Sequence, residues 1–213
     1  MKWASLACGY NYDIKSCQIE ILRDELVSIG ISDKSLKVLD TAFICQVLGV
    51  EESLVKEFRF SGVFNKGNVS LSFKSKTVRL LNQRLGKAQA RQILLRWKAH
   101  LKPLKADLTQ LIEHYLKQGK TNRYGLYVTN AAGQPFNCTY KNVKTAKEWH
   151  PDTKKRKLLA HMLQGFESKA VYDYVACHQE ICALEHDGFV SYDMVDDWGH
   201  EYLRVVMKNS GTK

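Results

Sequence analysis

Residues 181–193 read Ile181-Cys182-Ala183-Leu184-Glu185-His186-Asp187-Gly188-Phe189-Val190-Ser191-Tyr192-Asp193. Two short apolar runs, one carrying Ile181, Ala183 and Leu184 and the other Phe189, Val190 and Tyr192, meet at a tight reversal for which Gly188 supplies the backbone freedom. The pattern predicts a β-hairpin with His186 and Asp187 at its tip. Working outward, Asp13 is the candidate partner carboxylate: it closes a strand-like stretch, Trp3 to Tyr12, and opens a segment through Glu25 that reads as helix. Two aspartates on adjacent strand ends can hold two divalent cations. Each also has a plainer reading. Asp tolerates the left-handed conformations of a turn, and Asp13 in front of a helix would serve as an N-cap.

The chain of 213 residues is long enough to bury a core, and its 32 Lys+Arg against 22 Asp+Glu give a formal charge of +10. That surplus favours a polyanionic partner, either nucleic acid or an anionic membrane surface. No stretch approaches the roughly 20 apolar residues that cross a bilayer, and Met1-Lys2-Trp3 leads into no signal-like apolar core. A soluble, cytoplasmic protein is expected. The six cysteines form no paired framework, so thiols are expected. Cys177, Cys182, His178 and His186 lack the Cys-x-x-Cys spacing of a zinc site. No Gly-rich phosphate loop is present.

Along the chain, Ile19, Leu22, Leu26 and Ile29 recur at helical spacing up to Gly30, and a second helix is predicted over Ser35 to Val47. From Glu51 to Lys76 no single period fits. Residues 77–117 read as helix, with Pro103 separating two segments. A hairpin follows, with strands Tyr124 to Thr129 and Phe136 to Tyr140 about a turn at Asn130 to Gly133. A basic connection, Lys141 to Lys157, leads to a helix from Leu158 to about His178.

Five pieces in this order resemble the superfamily that joins DNA polymerase I (family A) to the phage-type single-subunit RNA polymerases. Asp13 followed by Gln18-Ile19-Glu20 is similar to the first palm motif of family A, with a longer gap, and Ser16-Cys17 echoes its RNA polymerase form. Leu81-Asn82 through Ala90, with the helical pair behind it, resembles the fingers. Tyr127 to Gly133 resembles the hairpin between fingers and palm, Leu163-Gln164-Gly165-Phe166-Glu167 the Gln-Gly helix, and His186-Asp187 the last palm motif. Two features depart from the pattern. The Arg, Lys and Tyr or Phe of the nucleotide-binding helix survive only as Arg59, Lys66 and Phe73, and Gly188 stands where family A has Glu and the RNA polymerases Ser.

The resemblance implies an α+β fold, a polymerase palm with an antiparallel sheet and a helical fingers insertion. Residues 1–48 would be the first part of the palm, 49–120 the fingers and 121–213 the rest of the palm. No thumb is visible before Asp13, so the chain is expected to be a domain of a larger polymerase or a minimal one, with other domains or subunits supplying a thumb. The implied function is template-directed nucleotidyl transfer, DNA synthesis favoured, on a DNA primer-template with nucleoside triphosphates and Mg²⁺. Asp13, Asp187 and the Ile14 carbonyl would hold the metal, and His186 would orient the primer end. Arg59 and Lys66 would neutralise the triphosphate, Glu20 would close the sugar pocket, and Gln164 would contact the primer-template minor groove. The rivals are an RNA polymerase, to which Ser16-Cys17 points, and an idle palm that only binds nucleic acid.

Overall fold

The structure, a computed structural model, describes residues 9–15, 17–139, 150–185, 188–195, 199–200 and 203–208. His186 and Asp187 lie outside these residues, as do the expected strand positions before Gly9. The class is α+β, as expected; it has two antiparallel sheets, and the chain divides into two units. One comprises 1–22, 130–134 and 162–213, the other 23–129 and 135–161.

The first unit is built on strand β1, Tyr10–Lys15, which hydrogen-bonds on both edges. Its neighbours are β6, Gly188–Ser191, and β7, Arg204–Met207, while β5, Ile181–Glu185, pairs with the outer edge of β6. The quoted stretch is therefore a hairpin, with Glu185 opposite Gly188. Alternation along β1 buries Tyr12 and Ile14. The Tyr12 ring stacks on Phe189 with centroids 5.3 Å apart, and the Tyr174 ring lies 5.1 Å from Phe189. Cys17, Ile21 and Leu22 from helix α1, Cys17–Ser28, are buried in this unit, as are Leu163, Ala170 and Val171 from α7, Pro151–Cys177. One correction concerns Asp13, which sits inside β1 and pairs with Gly188 on one side and Val206 on the other. Because α1 starts at Cys17, Asp13 neither ends the strand nor caps the helix.

The second unit is mainly helical. A 3₁₀ turn, Asp33–Leu39, precedes α2, Thr41–Leu48, so the single helix predicted over Ser35 to Val47 is broken at Asp40. The stretch without a clear period contains α3, Glu52–Phe64. Three helices fill 76–117: α4, Lys76–Leu85, α5, Lys87–His100, and α6, Lys102–Lys117. The breaks fall at Gly86 and Leu101. Pro103 instead occupies the first turn of α6, where its missing N–H costs nothing. Strands β2, Lys120–Asn122, β3, Gly125–Thr129, and β4, Pro135–Asn137, form the second sheet, so the expected hairpin carries an additional strand. The helix expected from Leu158 begins at Pro151, within the stretch expected to be a basic connection.

Trp97 is fully buried at the centre of this unit, meeting Phe58 edge-on at 5.6 Å. Truncating it leaves a cavity that rigid helices cannot close. Trp97→Ala should lower stability by about 3–5 kcal/mol, read as a reduced urea midpoint; an unchanged midpoint would remove Trp97 from the core.

Candidate functional site

The register of the first sheet decides what Asp13 can do. Asp13 is the cross-strand partner of Gly188, which begins β6 directly after Asp187, so two segments far apart in sequence meet at the closed end of the β5–β6 hairpin. The approach is very close. A Cβ on residue 188 would lie 1.9 Å from the Tyr12 carbonyl oxygen, so only glycine lets β6 pair with β1 at this point.

The Asp13 side chain is about one-third exposed (34%), and its Oδ2 lies 3.8 Å from Nζ of Lys208, just beyond β7. The Lys208 N–H donates to the Asn11 carbonyl (2.7 Å), which fixes the lysine at this edge. A carboxylate here is a hard oxygen donor of the kind that suits Mg²⁺. One carboxylate is half of such a site. Among the described residues no three metal-ligating side chains gather. Ile14, the next residue of β1, has a buried side chain.

The motifs around Gln18 and Gln164 also meet, through different residues from those expected. Gln18 Nε2 donates to both carboxylate oxygens of the buried Glu167, at 3.3 and 3.4 Å. Glu20 is half-buried on α1 and Gln164 exposed on α7. Gly165 is a packing residue: its Cβ would stand 2.4 Å from Cγ of Asn130. Asn130 in turn organises its loop, accepting from the N–H groups of Ala132 (3.1 Å) and Gln134 (2.9 Å). Gln18 and Glu167 stand inside motifs noticed in the sequence, but a buried Glu with its donor on another helix has no signature in local spacing.

Arg59 and Lys66 belong to the second unit, whereas Asp13, Ile14, Glu20 and Gln164 belong to the first. Both cations serve local structure. Arg59 donates from Nε to the Leu39 carbonyl (2.6 Å) and from Nη2 to Thr41 Oγ1 (2.8 Å), tying the 3₁₀ turn to α2. Lys66 takes the left-handed position that ends α3, with φ +56°. Its N–H bonds to the Val63 carbonyl (2.9 Å) and the Gly67 N–H to the Gly62 carbonyl (2.7 Å), the Schellman pattern. Glycine normally fills that place, and the lysine is held there by burial and by Nζ lying 2.8 Å from Oδ1 of Asp152. The hydrogen bond from Lys66 holds the Asp152 carboxyl below the usual range, and Arg156 adds to the effect.

Compared with the known protein families and with the curated proteins, the chain matches none.

Two outcomes test this geometry. Gly188→Ala should cost about 1–3 kcal/mol through overpacking against β1, measured as a fall in the thermal midpoint; full stability would show that β1 and β6 do not approach so closely. For Asp152, a folded pKa below the unfolded one means that its stabilisation is present above about pH 4 and is lost as pH falls through the folded value. The gap in urea midpoint between the parent and Asp152→Asn should therefore be full at about pH 7 and shrink on acidification below about pH 4; a gap independent of pH would exclude the ion pair as its source.

Proposed function

We propose that the chain is a nucleotidyltransferase that extends a nucleic-acid primer on a template, in the manner of the DNA polymerase I-like superfamily, with DNA synthesis favoured. The observation that supports the reading is the pairing of Asp13 with Gly188, the residue that follows Asp187 in the sequence. Asp13 and Asp187, with the Ile14 carbonyl, would hold two Mg²⁺ ions. When bound, such ions polarise the attacking 3′-hydroxyl and neutralise the departing pyrophosphate. The residues of the chain would position the reactants. His186 would orient the primer end, Glu20 would disfavour a ribose 2′-hydroxyl, and Gln164, being exposed, is free to meet minor-groove acceptors. In this reading residues 1–48 and 121–213 make the palm and 49–120 the fingers.

Lys208 bears on the metal. Its ammonium beside Asp13 holds a positive charge near the place a cation would take, and it must give way or turn to the substrate phosphates when metal binds. The same contact favours a second reading, a palm that binds nucleic acid without catalysing. The engagement of Arg59 and Lys66 in local structure favours it too.

Primer extension with Mg²⁺ separates the two. Asp13→Ala and Asp187→Ala should each reduce incorporation by about 100- to 1,000-fold, the loss of several kcal/mol of charge stabilisation, while leaving the fold intact. Absence of incorporation by the stable parent protein on DNA and RNA templates alike would reject catalysis. Admission of ribonucleotides by Glu20→Ala would support a DNA polymerase over an RNA polymerase.

A further inference from the structure

The positive charge of the chain is concentrated in one stretch. From Phe58 to Ala106 there are twelve Lys and Arg and no Asp or Glu, whereas the remaining 164 residues hold 20 basic against 22 acidic side chains. The whole surplus therefore lies in 49 consecutive residues of the second unit. A helix face that is merely solvated interleaves acids with bases three or four positions apart. Here none is available.

The geometry selects part of this run. Arg84 pairs with Glu51, Lys76 with Glu57, and Arg96 donates to the Leu48 carbonyl. Lys87, Arg91, Lys98 and Lys102 are exposed and have no acidic partner among the described residues. Their spacings, with exposed Leu95 between Arg91 and Lys98, are four, four, three and four residues. Lys87, Arg91 and Lys98 form one stripe along α5, beside the face that buries Ala90, Ile93, Leu94 and Trp97, and Lys102 opens α6 just beyond the break at Leu101. Lys87 and Lys98 are eleven residues apart, about 16 Å along a helix. That covers about five phosphates of one strand at their spacing along a duplex axis. At the start of the stripe stands Phe73, 64% exposed, with Nζ of Lys87 5.9 Å from its ring centre.

We propose that this face of α5, with Phe73 at its end, binds single-stranded nucleic acid, phosphates along Lys87, Arg91, Lys98 and Lys102 and a base stacked on Phe73. An exposed aromatic beside a cationic track is the chemistry that recognises a single strand without regard to sequence. A membrane surface fits less well, because an interfacial helix turns its apolar face outward, and the apolar face of α5 is buried. The inference does not depend on catalysis at Asp13.

Fluorescence anisotropy of a labelled oligonucleotide with the full chain tests it, with duplex DNA and phosphatidylserine vesicles as the other arms. The double substitution Arg91→Gln, Lys98→Gln should weaken single-strand binding about tenfold and flatten its log–log salt dependence by about 1.4, two phosphate contacts' worth. Phe73→Ala should weaken the single strand about tenfold and leave the duplex unchanged. All three positions are exposed, and circular dichroism checks the fold. Unchanged affinity and salt slope in the double variant would overturn the proposal, as would binding to the vesicles alone. Asp13→Ala should cut extension by about 100- to 1,000-fold while this binding persists, so failure here and failure of the catalytic reading are distinguishable.

Discussion

Strand β1 must satisfy its backbone on both edges, and the first unit is arranged around that requirement. On one side it pairs with β6 so tightly that residue 188 has no room for a side chain, and on the other with β7. A buried strand between two partners cannot slip by one residue without turning Tyr12 and Ile14 out of the core and Asp13 into it. Stacking of Tyr12 on Phe189 therefore fixes the register that presents Asp13 opposite Gly188. In this way packing on the apolar side sets the chemistry available beside it.

Charge divides the chain by unit. The candidate carboxylates sit in the sheet unit, and the cationic surplus sits on helices of the other. Catalytic metal chemistry needs a few well-held oxygen donors, whereas a grip on a polyanion needs many exposed cations that tolerate movement. Lys66 shows that not every basic side chain in the run serves the second role. It is buried, left-handed and bound to Asp152, which makes it the pin between the end of α3 and the start of α7.

Much of this was legible in the sequence where a single period held. The 181–193 hairpin reads directly because its apolar runs and Gly188 agree, and the helices over 77–117 read because Ile93, Leu94 and Trp97, then Leu104, Leu108 and Leu111, keep helical spacing. Helix α3 was hidden: its buried set Leu54, Val55, Phe58 and Gly62 is helical, but exposed Phe60 and two glycines nearby blur it. The first two turns of α7 hold no regular apolar period, and Pro151 at its first position was the available sign. The sequence singled out Asp13 as a candidate but not its place within a strand, since the pairing that extends β1 to Lys15 comes from residues nearly 200 positions away. The Gln18–Glu167 bond, the Lys208 contact and the roles of Arg59 and Lys66 all depend on tertiary partners. The acid-free run from Phe58 to Ala106 was readable from charge order alone, once counted by segment instead of over the whole chain.

The central claim is that Asp13 and Asp187 act together on the same cations. Calorimetric titration of Mg²⁺ into the parent protein, Asp13→Asn, Asp187→Asn and the double variant tests it most directly. Residues sharing a site are strongly coupled, so each single substitution should remove most of the binding and the second should add little. Losses that simply add, or Mg²⁺ binding that survives both substitutions, would contradict the account.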